Sequence, residues 1–394
     1  MANAPLRNIR IAYALTVTRF SWFWLGVWVL YYLKFTNYTG IGLIETVMIL
    51  TATLLEIPTG AIADLLGRKW TLCISLILQA LGAFIMADAT NLSALVISVI
   101  PLSIGAALFS GTLEALVYDS LKEATQVDRY EKIITNISSL QLIVPAICGI
   151  AGGFMYSLDA RLPYAANGLL YALGACIALL LHEPHIDSDN FSLVGLLSQQ
   201  KQGVRHLLQV NSKQLVWFLL AAGAITLITT EVLDNMLSIE FGFHENQLGI
   251  LWAVLYVTAG IVLQILPRLT KKTQRVSTLI ILCLGIAISL ALSPAVGIAL
   301  GGILLLVRSV LAAAFGNATS VILNSLIESK YRATTLSAFS MFKSMPYLVA
   351  ALGIGALADI YSGRIIALAL GVLLFILGLL WIIQGQKSTT KLVR

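Results

Sequence analysis

The chain has 394 residues, of which 58% are hydrophobic and 11% charged, with a formal net charge of +6. Its mean hydropathy is +0.90. Soluble domains carry about 25% charged residues, and this apolar excess cannot be hidden behind a polar skin, so a water-soluble fold is excluded.

Cutting the chain at its polar, Gly and Pro breaks predicts an all-α polytopic membrane protein with twelve transmembrane helices. The first six are expected at 11–33, 41–63, 70–87, 92–118, 132–156 and 163–181, forming an N-terminal bundle over 1–181. A cytoplasmic linker over 182–212 follows. Within it LVGLLSQQKQGVRHLLQV, residues 193–210, is apolar on one face and carries Lys201 and Arg205 on the other, the pattern of a helix lying on a membrane surface. The last six helices, at 214–237, 246–267, 276–293, 295–324, 333–357 and 364–384, make a C-terminal bundle over 213–394. Arg7 and Arg10 precede a first apolar run too long for a cleavable signal, so that run is expected to stay as a helix. The four cysteines stand singly in apolar runs and read as small core residues, and HEPH (182–185) reads as a solvated loop, so no metal is expected.

Nineteen of the 25 Lys and Arg fall at the termini or in even-to-odd loops. Only Lys34, Arg161 and Arg364 lie on the opposite side, and Arg19, Arg308 and Lys343 lie inside apolar runs. The positive-inside rule then places both termini in the cytoplasm. The positive charge is thereby explained without a nucleic-acid partner. A shift of 203 residues superposes Arg10 on Lys213, Arg68-Lys69 on Lys271-Lys272, Arg129 on Arg332 and Arg161 on Arg364. The same shift sets Gly152 and Gly168 on Gly355 and Gly371. Two halves of common origin are a frequent plan among secondary transporters.

Between the second and third helices stands GAIADLLGRKWTL, Gly60 to Leu72. Gly60 admits close helix approach and Gly67 a tight reversal. Asp64 suits the positive end of a neighbouring helix, and Arg68, next to Lys69, can reach a carboxylate, the nearest candidate being Asp119. Such a cluster reads as a conformational latch that holds the cytoplasmic ends shut in the outward-open state. Its repeat, PRLTKKTQR at 267–275, keeps the bases but has Pro267 in place of the acid.

The loop resembles the signature of the major facilitator superfamily, Gly-x-Leu-Ala-Asp-x-x-Gly-Arg-Lys-x-x-Leu, with Ile62 at the Leu position. Together with the twelve helices and the linker, the resemblance covers the whole chain. It implies that helices 1, 4, 7 and 10 line a cavity. EIPTGAIAD and RATTLS look like stretches of bacterial drug-exporter-like members. Two departures weaken a proton-driven exporter: Pro101 stands where such members often have an arginine, and CGIAGG (148–153) lacks a final proline.

Ionisable groups inside membrane helices are expensive and usually functional. They are Arg19, Glu56, Glu114, Glu231, Asp234, Arg308 and Lys343. At 1.5 Å per residue, Arg19 and Glu114 lie about 12–14 Å deep, and Glu231 and Arg308 about 27–30 Å. Depth therefore predicts the pairs Arg19–Glu114 and Glu231–Arg308. Lys343 has no obvious depth-matched acid and reads either as a ligand for an anionic substrate group or as the partner of a nearby acid, and Glu56, two residues before Pro58, reads as a weaker coupling candidate or as the brace of that bend.

The expected function is secondary active transport by alternating access. Proton-coupled export of small amphipathic compounds is the first reading, and uptake of a small anionic solute, with Arg19, Arg308 and Lys343 as ligands, is the alternative. No nucleophile–base spacing, phosphate loop or metal set appears, so neither enzymatic activity nor a cofactor is expected, the proton gradient being the driving force. The expected partners are the lipid bilayer and a small molecule. The chain is read as a monomer of the plasma membrane, in a bacterium the inner membrane.

Overall fold

The computed structural model describes residues 4–184, 205–207, 213–269, 276–327 and 332–385. The side chains at 4, 56–64, 266–269, 276, 332–334, 337 and 384–385 fall outside that description, and with them Glu56, Gly60 and Asp64. Most of the expected linker helix also lies outside it, although 205–207 are helical.

Every regular element of the described chain is a helix. Ten of its helical segments are long and apolar enough to cross a membrane, and Leu162–Ala178 is a shorter apolar helix. Two compact units divide the chain: Met1–Leu196 with Glu245–Ala253, and Leu197–His244 with Val254–Arg394.

In the first unit, α1 (Ala4–Phe20) and the short α2 (Trp28–Tyr32) occupy the first apolar run. The run is not one helix. Ser21–Val27 leave the helical path, and Gly26 adopts φ +87°, a conformation that side-chain-bearing residues rarely take. Next come α3 (Tyr38–Leu66), α4 (Arg68–Ala87), α5 (Leu92–Phe109) and α6 (Thr112–Glu123). The expected fourth span is likewise interrupted, at Ser110-Gly111, where Gly111 has φ +75°. The unit's consecutive helices close with α7 (Tyr130–Leu158) and α8 (Leu162–Ala178).

The core of this unit is built where α1, α4 and α6 meet. Ala12, Leu15, Leu72, Leu76, Leu113, Leu116 and Leu121 are all fully buried there. Each such leucine contributes about 1.5–3 kcal/mol relative to exposure when the reference is water. In lipid the gain is one of packing instead, so close backbone approach matters more. Gly152 of α7 supplies it. A Cβ at that position would stand 1.7 Å from the Phe23 carbonyl oxygen, so α7 can lie against the unwound stretch only as glycine.

The second unit opens with α9 (Lys213–Ile228). A π-helical stretch over Thr229–Leu233 and then α10 (Asp234–Glu240) continue the same span. The expected continuous seventh helix thus contains a run of i→i+5 hydrogen bonding, a form concentrated at functional positions. It continues with α11 (Glu245–Leu269, whose first turns belong to the first unit), α12 (Val276–Ala291), α13 (Ile298–Leu326), α14 (Arg332–Ala358) and α15 (Gly363–Gly385). Glu240 caps α15: its carboxylate accepts from the backbone N–H groups of Gly363 at 2.5 Å and Arg364 at 3.1 Å.

Candidate functional site

Backbone polar groups freed inside a membrane must find partners within the protein. At the break after α1 the partner is Asn167 of α8. Its Nδ2 donates to the Ser21 carbonyl at 2.6 Å, and its Oδ1 accepts from Phe23 N–H at 3.1 Å. One buried asparagine therefore holds the opening of the α1–α2 gap. Sequence reasoning passed over it, and the signal was a single amide in the apolar run LPYAANGLLYALG.

Arg19 stands in the last turn of α1, where a cation complements the carbonyl end of the helix. It does not pair with Glu114. Among the described residues Arg19 makes no ion pair or hydrogen bond, and its Nε is buried without a partner. Aromatic faces surround the guanidinium instead: Cζ lies 5.3 Å from the Phe20 ring centre, 5.8 Å from Phe109, and 5.9 Å from both Trp22 and Tyr171. Ring quadrupoles attract a cation at such distances. The expected Arg19–Glu114 pair is thus corrected: depth matched the two residues, but the aromatic box claims the arginine. Glu114 lies in the first turn of α6, just past the Ser110-Gly111 break, with Oε2 buried and unbonded.

The expected Glu231–Arg308 pair is also corrected. Arg308 meets Asp234, Nε to Oδ1 at 2.7 Å, with side-chain exposures of 0% and 4%. The contact is one of charge, since neither atom has hydrogen-bond geometry toward the other. Arg308 Nη1 donates to Ser289 and Ser293 Oγ, both at 3.4 Å. Glu231 is exposed while Asp234 is buried. In a regular α-helix these two, at i and i+3, would share a face. The π stretch adds a residue to the turn and separates them. Glu231 instead feels the charge of Lys343, whose stem passes 3.1 Å from where a Cβ of Gly223 would be. Lys343 therefore has an acid within electrostatic range, in line with the second of the two roles expected for it. Tyr256 lies within electrostatic range of the same carboxylate.

At the loop between α3 and α4, Arg68 reaches Asp119, Nε to Oδ2 at 3.5 Å, as the spacing suggested. Gly67, the N-cap of α4, has φ +87°. Beyond it the Arg68 and Lys69 backbone N–H groups donate to the two oxygens of Glu183, at 2.6 and 2.9 Å. A Cβ on Gly67 would stand 2.7 Å from that carboxylate, so the position demands glycine for both space and dihedral. Among the described residues, the acid at this helix end is Glu183. His182 beside it exchanges backbone hydrogen bonds with the Asn8 side chain at 2.8 and 2.9 Å, and its Nε2 lies 3.4 Å from Glu123 Oε1.

The model of the Major Facilitator Superfamily matches residues 11–351. The chain belongs to the major facilitator superfamily. This superfamily member is 23% identical over 255 residues to the uncharacterized MFS-type transporter YxaM of Bacillus subtilis (strain 168), which covers 63% of each chain. It is 28% identical over 156 residues, 39% of each chain, to the quinolone resistance protein NorA of Staphylococcus aureus (strain Mu50). The matches thus span less than two thirds of these relatives' length. Among solved structures, the nucleoside transporter NupG superposes with TM-score 0.78 at 15% identity, over 96% of this chain and 98% of that one. A bacterial homologue of the lysosomal transporter Spinster superposes with TM-score 0.68 at 14% identity, covering 96% of both chains. At such identities these structures speak for the fold alone, an MFS transporter fold spanning the membrane several times.

Proposed function

We propose that the chain is a secondary active transporter of the plasma membrane, working by alternating access as a proton-coupled exporter of small amphipathic compounds. Ten segments are long enough to span. With α1–α2 as the first span and α8 as the sixth, the count is twelve, six in each of two bundles, and the charge asymmetry puts both termini in the cytoplasm. No resident cofactor takes part, and the working unit is a single chain.

One observation carries the reading. Three interior charges sit at helix interruptions: Arg19 at the α1–α2 gap, Glu114 at the α5–α6 gap and Glu231 in the π stretch. Discontinuous helices are where transporters place substrate and coupling-ion sites. Glu231, exposed and within electrostatic range of Lys343, is the acid suited to exchange a proton. The fully buried Asp234–Arg308 pair is a fixed strut. Export is favoured by the similarity to NorA. Uptake of an anionic solute is the second reading, favoured by the unpaired Arg19.

The test is transport. Purified chain in proteoliposomes with an imposed pH gradient should move cationic and zwitterionic amphiphiles against their gradients, and collapse of the pH gradient should abolish this. Movement that ignores the proton gradient would overturn the coupling.

A further inference from the structure

The unwound stretch after α1 leaves two buried donors without acceptors next to each other: Arg19 Nε and Trp22 Nε1. The guanidinium carbon lies 5.9 Å from the Trp22 ring. Arg19, Phe20 and Trp22 are each half-buried, whereas Phe109 and Tyr171 behind them are 5% and 3% exposed. The cluster is therefore a box with aromatic walls whose half-buried Arg19 and Trp22 present their closed nitrogens to a ligand only when their side chains turn outward. Phe20 and Phe109, which end α1 and α5, meet edge to face at 6.5 Å, so the two helix breaks share a wall. Trp24 stacks on Trp22 at 5.3 Å and extends that surface.

We infer that this box is a binding subsite for a flat aromatic carboxylate. The inference rests on the transporter reading and narrows its substrate class. A carboxylate supplies the acceptors that Arg19 and Trp22 lack, and a guanidinium binds one with two parallel hydrogen bonds. A flat ring attached to it stacks on the Trp22 or Phe20 face, where offset and edge contacts are favourable. Ligand and arginine together form a neutral pair, which lowers the cost of an isolated charge in a low-dielectric interior. An ammonium ligand is disfavoured here, because Arg19 already places a positive charge among these rings. Glu114, the depth-matched acid, leaves the place free, since no ion pair joins it to Arg19.

Three probes separate the contributions: benzoate, benzamide, which keeps the ring without charge, and cyclohexanecarboxylate, which keeps the charge without an aromatic face. Binding to the purified full chain is measured by calorimetry at fixed pH without a gradient. Benzoate should bind at least about tenfold more tightly than benzamide, the worth of one charged hydrogen bond, and several-fold more tightly than cyclohexanecarboxylate, which lacks the aromatic face. Arg19→Gln should bring benzoate to the level of benzamide. Trp22→Phe keeps a ring and removes the N–H, and should weaken benzoate several-fold. If Arg19 were structural alone, Arg19→Gln would lower the melting temperature while leaving the order of the three probes unchanged, and that result overturns the subsite. Should Arg19→Gln fail to fold, unchanged benzoate affinity in Trp22→Phe overturns it equally. A chain that drives amphiphiles with protons yet shows no preference for benzoate keeps the transporter reading and loses this site. A preference for benzoate without proton-driven movement does the reverse.

Discussion

Arg308 and Asp234 meet at 2.7 Å with both side chains closed to solvent. The proposed function reads this pair as a structural strut and assigns proton exchange to another carboxylate. Removing one partner of such a pair leaves the other uncompensated, which costs about 3–5 kcal/mol. Asp234→Asn should accordingly lower the melting temperature of the purified chain steeply. The double variant Asp234→Leu with Arg308→Met should recover most of that loss, as the non-additivity of a double-mutant cycle. An unchanged melting temperature in Asp234→Asn would show that the pair is no strut.

On the proposed reading Glu231, within electrostatic range of Lys343, is the charge that exchanges a proton. Glu231→Gln should abolish pH-driven accumulation in proteoliposomes while sparing substrate exchange, because exchange needs no release of a proton. Lys343→Gln should impair the same step. Adding it to Glu231→Gln should do no further harm, since the two act on each other. Full pH-driven accumulation in Glu231→Gln moves the coupling to Glu114.

The latch is expected to depend on Glu183 as much as on Arg68. Glu183→Ala removes the acceptors of two backbone N–H groups at the start of α4, a loss of about 1 kcal/mol by analogy with other caps. Arg68→Ala removes the contact with Asp119. Both should shift the population toward the inward-open state. The measurement is thiol labelling of a cysteine introduced at the Lys122 end of α6, with Cys73, Cys148, Cys176 and Cys283 replaced beforehand. Equal labelling in all variants, with transport intact, would remove the latch.

Asn167 is expected to be intolerant of apolar replacement. Asn167→Leu orphans the Ser21 carbonyl and the Phe23 N–H, at about 1–3 kcal/mol for each unsatisfied group. The yield of monodisperse protein should fall and the melting temperature drop. Asn167→Asp retains an acceptor for Phe23 but loses the donor to Ser21, so it should fall between.

Much of this molecule follows from the sequence alone. Hydropathy along the chain is one-dimensional, and so is the thickness of a bilayer, so apolar runs of sufficient length found most helix limits to within a few residues, the first and fourth expected helices being the exceptions. The GAIADLLGRKWTL stretch named its superfamily, and its Arg68 was matched to Asp119 because the two lie at the same end of adjacent spans. The interior charges were legible because they are rare.

Which charges meet was decided by the tertiary structure. Distance along a helix gives depth, whereas contact also needs the direction around the axis. A π stretch at 229–233 changes that direction for every residue after it, which is why Asp234 and not Glu231 faces Arg308. The breaks at Ser21–Val27 and Ser110-Gly111 were hidden for a related reason. Apolar composition continues straight through them, and at the first of them Asn167, 144 residues away from Phe23, offers the backbone another set of hydrogen bonds. Pattern in the sequence sets where the chain crosses the membrane. Long-range satisfaction of polar groups, in a medium without water to supply it, sets where it unwinds and what Arg19 finds beside it.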